Sequence, residues 1–208
     1  EREGFICNYV DYLCVDETKR GAGLASQMIY THEYHLQRVP SMPTVSVFKR
    51  EGALMGIIPI CAYEMEGFDM HTWRPMQPLP ANVGKVVQCT PATLHMLTDF
   101  MRCRVKSDFG MYLGVSDGNL AEIIRTQNVY IYIYVDTRGA IASAYFFRHT
   151  CTWFSEGKHV LACFASVRGE TDEVRFAHAF KCAVTHIMST NGKRYGYSVL
   201  LMENIANN

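Results

Sequence analysis

The chain has 208 residues, 49% of them hydrophobic and 19% charged, a balance that excludes disorder over most of its length. Twenty Lys and Arg offset 20 Asp and Glu, so net charge offers no electrostatic case for nucleic acid or an anionic membrane. At roughly 150 residues per domain, the length accommodates one large domain or two small ones.

The start, Glu1-Arg2-Glu3-Gly4-Phe5, carries neither an initiator Met nor a signal peptide and reads as a fragment or a processed chain. Tyr9–Val15 is an apolar run readable as a strand, and Asp16–Arg20 is a polar turn. Gly21-Ala22-Gly23-Leu24-Ala25 opens a helical pattern that runs to about Leu36, with Leu24, Met28 and His32 on one stripe. Pro40 and Pro43 close that helix, and Thr44–Phe48 is a short strand. Gly56–Glu64 is a run of mixed apolar character. The longest apolar run, around Leu54–Ala62, is broken by Gly56 and Pro59 and falls short of the ~18 residues of a membrane helix.

His71–Pro80 then places Pro75, Pro78 and Pro80 within six positions, which predicts a linker or crossover. The expected organisation is a first unit over 1–70, a linker over 71–85 and a second unit over 86–208.

In the second unit, Thr90-Pro91 predicts an N-cap and first helical position, followed by Leu94, Leu97 and Met101 at helical spacing. Val129–Val135 alternates without exception. Val129, Ile131, Ile133 and Val135 share one face, and Tyr130, Tyr132 and Tyr134 the other. Asp136–Gly139 is a hairpin loop and Ala140–Phe147 its return strand. A simple four-residue loop sets Val135 opposite Ala140, Ile133 opposite Ala142, Tyr132 opposite Ser143 and Ile131 opposite Ala144. Lys158–Val167 is a third strand, and Thr171-Asp172-Glu173 starts a helix running to about Ser189. Asn191-Gly192 ends that helix, and Tyr195–Met202 is the last strand. Antiparallel meanders among helices argue against a doubly wound nucleotide-binding sheet, so the expected fold class is α+β.

The eight cysteines include no C-x-x-C pair and mostly lie in apolar stretches, which predicts buried free thiols and a reducing compartment, by default the cytoplasm.

The strand-to-helix junction is the most informative segment. Arg20-Gly21-Ala22-Gly23-Leu24-Ala25 sets two glycines at a helix N-terminus, where free N–H groups and the positive dipole end face outward. With the Arg20 charge this is a cradle suited to a diphosphate. It is not a Walker loop, because no G-x-x-x-x-G-K-[ST] run exists. It is not a dinucleotide fingerprint either: Gly21 and Gly23 fit the start of G-x-G-x-x-G, but position 26 is Ser.

Other constellations carry less. His32 and His35, with Glu33 between them, lack a third metal ligand of obvious spacing, so no metal is expected. Glu64 and Glu66 read as a solvated strand face or a base. The three tyrosines read as a sheet face under a helix or as a pocket lining.

Tyr12-Leu13-Cys14-Val15, followed by Arg20-x-x-Gly23-x-Ala25 and a helix, resembles motif A of the GNAT superfamily of N-acyltransferases. More narrowly, the first four residues are similar to the F-L-C-V segment of glycylpeptide N-tetradecanoyltransferases (N-myristoyltransferases), which are two fused GNAT-like halves. Leu201-Met202-Glu203-Asn204 resembles the L-M-E-N near the C-terminus of that family. There are departures. Ala22 and Gly23 stand where the family has Lys and Arg, and Tyr197 aligns with a family Asn. The strands upstream of motif A and the C-terminal base segment have no counterpart, as in a compact or truncated relative.

The resemblance implies two GNAT-like units with mixed, largely antiparallel sheets flanked by helices. It implies direct transfer of an acyl group from acyl-coenzyme A to an amine, with no metal. Val15, Arg20, Gly21, Ala22, Gly23, Leu24 and Ala25 would bind the coenzyme. The backbone N–H groups of Tyr12 and Leu13 would meet the developing oxyanion, a role typically worth ~3–4 kcal/mol per donor. The narrower implication is a myristoyl donor and an N-terminal glycine acceptor, with an acetyltransferase using acetyl-coenzyme A as the runner-up. Met28, Phe48 and the Leu54–Ile60 run are candidate lining for a long chain. The reading from another class is a non-catalytic CoA-binding or partner-docking fragment whose open sheet edge a homodimer would close.

Overall fold

The computed structural model describes residues 6–10, 13–41, 45–50, 58–155 and 158–208. It forms two compact units, Glu1–Ile60 and Cys61–Asn208.

In the first unit, β1 (Asn8–Val10) pairs in parallel with β2 (Ser46–Phe48), and α1 (Leu24–Leu36) lies between them in sequence. Of the strand expected over Tyr9–Val15, Tyr9 and Val10 pair with Val47 and Phe48, preceded by Asn8 on Ser46; residues 11 and 12 lie outside the described residues, and residues 13–16 are irregular. α1 matches the expected helix, yet none of its residues is buried.

The second unit is built on a six-stranded sheet in the order β3-β8-β7-β6-β5-β4. Its strands are β3 (Met65–Asp69), β4 (Gly84–Gln88), β5 (Val129–Asp136), β6 (Ile141–Ser155), β7 (Lys158–Arg168) and β8 (Tyr197–Glu203). Every neighbouring pair is antiparallel except β7 and β8. That parallel pair is joined by a crossover through α4 (Glu173–Thr190) and the single turn α5 (Gly192–Tyr195). β4 does not stand out in the sequence, since Gly84-Lys85-Val86-Val87-Gln88 is short; it becomes a strand by pairing with β5 from Asp136 to Tyr132.

The alternation of β5 sorts two cores. Ile131, Ile133 and Val135 pack with Leu94, Leu97 and Met101 of α2 (Leu94–Asp108), and Leu120 and Ile124 of α3 (Asp117–Arg125) lie against the same cluster. Tyr130, Tyr132 and Tyr134 face Ala179, Ala183, Val184 and Ile187 of α4. Small Ala side chains at i and i+4 let that helix come close to the tyrosine rings. The buried hydroxyls find partners. Tyr134 donates to the Val83 carbonyl at 2.9 Å, and Tyr145 donates to the Phe176 carbonyl at 2.7 Å. The tyrosine stripe is thus a covered sheet face.

Two local expectations are corrected. α2 starts at Leu94 and not at Pro91, because the Thr93 hydroxyl bonds back to the Thr90 amide at 2.9 Å and residues 91–93 close a separate turn. The β5–β6 register is shifted: Tyr134 faces Ser143, Ile133 faces Ala144 and Ile131 faces Phe146. Val135 pairs with Ile141, one residue past the simple-loop register, and a bulge at Ala142, which has no partner on β5, adds a second, so from Tyr134 on each side chain keeps its expected face. The turn itself is held by Asp136, whose Oδ1 accepts from the Arg138 and Ala140 amides at 2.9 Å each. α4 is capped by Asp172, whose Oδ1 accepts from the Arg175 amide at 2.8 Å.

The proline segment forms no helix or strand between Met70 and Pro80. Trp73 and Leu79 pack against the tyrosine-side core, and the Met76 amide donates to the Thr185 hydroxyl of α4 at 3.0 Å.

Candidate functional site

The segment from Val15 to Ala25 is organised by its own side chains. Asp16 caps a single 3-10 turn, Glu17–Lys19, accepting from the Thr18 amide at 2.9 Å and its hydroxyl at 2.5 Å. Those two donors hold the Asp16 carboxyl below the usual carboxylate range. Arg20 leaves the turn extended, and its Nε donates back to the Val15 carbonyl at 3.4 Å.

Gly21 and Gly23 then take φ of 82° and 73°, a left-handed backbone that side-chain-bearing residues rarely adopt. A Cβ on either would meet nothing within 4 Å, so glycine is required here by backbone conformation and the surrounding space is open. Gly23 is the N-cap of α1 and supplies no side-chain acceptor, and the first turn carries no acid. The Leu24, Ala25 and Ser26 amides consequently have no acceptor inside the helix, and no side chain of its own first turn offsets the positive dipole end.

Other helix starts in the chain differ. α3 is capped by Ser116 with Asp117 in its first turn, and α4 by Asp172 with Glu173. α2 lacks a side-chain cap, but Leu94 at its start is buried in a core cluster. The β7–α4 junction repeats the strand-glycine-helix order in Arg168-Gly169-Glu170-Thr171-Asp172, and there the helix start is filled by the chain's own carboxylate. A Cβ at Gly169 would lie 2.8 Å from the Ala142 carbonyl oxygen, so this glycine serves packing.

The remaining candidates fall as follows. Leu13 lies in irregular chain and is 41% exposed, and Val15 is half-buried; Tyr12 lies outside the described residues. Arg20 and Ala22 are exposed, whereas Leu24 and Ala25 are half-buried. Met28 and Phe48, candidate chain lining, are 48% and 45% exposed, and Ile58 and Ile60 are 94% and 73% exposed. Glu64 and Glu66 are exposed, the solvated strand face of the two readings. His32 and His35 are exposed on α1, and no cluster of three metal-ligating side chains occurs among the described residues. All eight cysteines are unpaired, but only Cys89 and Cys163 are buried; Cys14, Cys61, Cys103 and Cys151 are exposed, against the expectation of buried thiols. No helix among the described residues is long and apolar enough to cross a membrane.

No protein-family model matches the sequence, and no curated protein does. Solved structures do. The N-myristoyltransferase of Saccharomyces cerevisiae with bound myristoyl-CoA superposes with a TM-score of 0.61 at 10% identity, over 96% of this chain and 54% of that one. This chain therefore spans about half the length of the yeast protein. A GCN5-related N-acetyltransferase from Kribbella flavida gives a TM-score of 0.47 at 12% identity, over 97% of this chain and 46% of that one. An aminoglycoside acetyltransferase from an uncultured soil metagenomic sample gives 0.46 at 12% identity, over 58% and 77%. The likeness to the yeast structure shows an α+β fold shared with that protein.

Proposed function

We propose that the chain is an N-acyltransferase that takes its acyl group from acyl-coenzyme A. One observation carries the reading: in a GNAT-like fold, α1 begins at a glycine cap without an acid or a side-chain acceptor, directly after Arg20. Those are the elements of a diphosphate cradle. In this reading the amides from Gly21 to Ala25 and the Arg20 guanidinium hold the coenzyme's diphosphate, and Val15 flanks its pantetheine arm. The architecture is read as two GNAT-like units, over 1–70 and 86–208, working in the reducing cytoplasm.

The transfer is direct. A neutral amine attacks the thioester carbonyl carbon, the carbonyl oxygen gains the negative charge, and collapse breaks the C–S bond to release the coenzyme thiol. The attacking nitrogen, which carries two protons in the tetrahedral intermediate, gives one to a base that the described residues do not identify and keeps the other as the amide N–H, and the departing thiolate takes up one proton to leave as the thiol. Backbone N–H groups at Tyr12 and Leu13 are the proposed oxyanion donors.

The narrower reading is a myristoyl donor and an N-terminal glycine acceptor, supported by the Tyr12–Val15 and Leu201–Asn204 resemblances and by the likeness to the yeast fold. The exposure of Met28, Phe48, Ile58 and Ile60 favours the second reading, an acetyl donor, because those residues form no enclosed channel. Calorimetry decides. Acyl-coenzyme A binding at micromolar concentrations that weakens at least tenfold in Arg20→Ala is expected; binding unchanged by that substitution rejects the cradle. Across acetyl-, octanoyl- and myristoyl-coenzyme A, affinity rises if methylenes are buried, at about 0.8 kcal/mol each. Affinity independent of chain length selects the acetyl donor.

A further inference from the structure

The outer half of the β6–β7 hairpin holds a cluster of rings that the acyl-transfer reading leaves unused. His149 on β6 stacks on Tyr195 of α5, with centroids 4.2 Å apart and planes 22° from parallel. His159 on β7 is its neighbour at 5.1 Å, and Trp153 covers His159 at 4.3 Å. Tyr197 of β8 stands 5.7 Å from His149, and its hydroxyl meets that of Tyr130 on β5. The Nδ1 atoms of His149 and His159 are both buried, and neither has a hydrogen-bond partner among the described residues.

Basic side chains flank the cluster. Arg194 of α5 lies over the Tyr195 ring at 5.0 Å, and Lys158 opens β7 at the solvent. Arg148, next to His149 on β6, pairs with Glu203 of β8 at 3.8 Å. Cys151 lies between His149 and Trp153 on β6, is exposed, and carries a φ of 57°. Among the described residues no carboxylate forms an ion pair with either imidazole.

A neutral imidazole suits such a nest; an imidazolium does not. A proton on the buried Nδ1 would lack an acceptor and would face the second ring and Arg194. Burial first, then His159 and Arg194, hold His149 below the ordinary imidazole range.

We propose that this cluster is an acid-sensitive latch. Neutral His149, stacked on Tyr195 beside His159, holds the outer β6–β7 arm, with its exposed Trp153 and Phe154, against α5, and protonation of His149 releases it. The direction follows from linkage. In the released arm His149 takes its proton at the ordinary value near 6.5, whereas in the closed arm it does so only at lower pH. The contribution of His149 to closure is therefore complete above about pH 6.5. Below it, the closed-to-open ratio falls by up to tenfold per pH unit, until the pH passes the lowered value of the closed state.

Hydrogen exchange on the full chain between pH 8 and 5, corrected for intrinsic rates, tests the latch. The expected result is a loss of protection of about tenfold between pH 6.5 and 5.5 in residues 149–155, 158–160 and 192–197, with β5 and α4 unchanged. The combined His149→Gln and His159→Gln substitutions are expected to abolish that pH dependence. Protection of the arm that is independent of pH, its loss in step with β5 and α4, or its persistence in the double variant overturns the proposal. A second measurement needs no variant. In a proton NMR titration of the native chain, His149 is expected to titrate below the exposed histidines; titration of His149 near 6.5 overturns the latch.

Discussion

The Tyr130 hydroxyl on β5 and the Tyr197 hydroxyl on β8 meet at 3.2 Å, although β6 and β7 separate their strands. Both rings are buried, and each hydroxyl answers the other in a site where an unpaired one would be costly. Burial first, then the bond with Tyr130, pushes the Tyr197 phenol up, so Tyr197 stays neutral at ordinary pH. Tyr130→Phe and Tyr197→Phe should each cost about 1–2 kcal/mol, because each leaves one buried hydroxyl alone. The double variant should cost little more than either single one. Urea unfolding of the four proteins checks this, and strictly additive losses would contradict the pairing.

The glycines separate into two kinds that one substitution distinguishes. A Cβ at Gly84 would lie 2.4 Å from the Val135 carbonyl oxygen, on backbone with φ of 142°. Gly84→Ala should therefore cost more than about 3 kcal/mol, since backbone and not a pliant side chain must give way. At Gly23 there is open space and only the left-handed φ of 73° opposes a side chain. Gly23→Ala should cost about 1 kcal/mol. Thermal unfolding of both variants measures the contrast; equal losses would refute it.

Thiol chemistry should follow burial. Burial pushes the Cys163 thiol up to about 12, and it raises Cys89 as well. Iodoacetamide at pH 8 should label the exposed Cys14, Cys61, Cys103 and Cys151 in the native protein. Cys89 and Cys163 should react only after unfolding. Peptide mass mapping reports the order, and early labelling of Cys163 would contradict its place under the sheet.

The β5–β6 turn should weaken in acid. The Ala140 amide first, then the Arg138 side chain, hold the Asp136 carboxyl below the usual range. A depressed carboxylate contributes stability that is present above the unfolded value of ~3.9 and is lost as pH falls through the folded value. Asp136→Asn should therefore lower stability at pH 7 and flatten its fall between about pH 4 and pH 2. An acid limb with the slope of the unsubstituted protein would show that Asp136 does not contribute to it.

Elements with a strong local period were legible in the sequence, and those defined by a partner were not. The alternation from Val129 to Val135 marks β5 because successive side chains must face opposite ways. It does not show that both faces are covered, which depends on α2 and α3 lying on one side and α4 on the other. At the candidate site, the glycines of Arg20–Ala25 mark the helix start, because their left-handed backbone is a local demand. The pairing of β1 with β2 was not legible, because its partner Ser46–Phe48 lies beyond α1 in the sequence.

By itself, then, the sequence determined the periodic strands, the glycine-opened helix α1 and the absence of a membrane-length apolar run, all of which depend on chemistry within a few neighbouring residues. Tertiary structure alone decided β4, the bulge at Ala142 and the meeting of His149, His159 and Tyr195. A ladder partner or a stacked ring is supplied by chain tens of residues away. Burial then settles whether a thiol such as Cys163 is shielded or, like Cys151, left open to solvent.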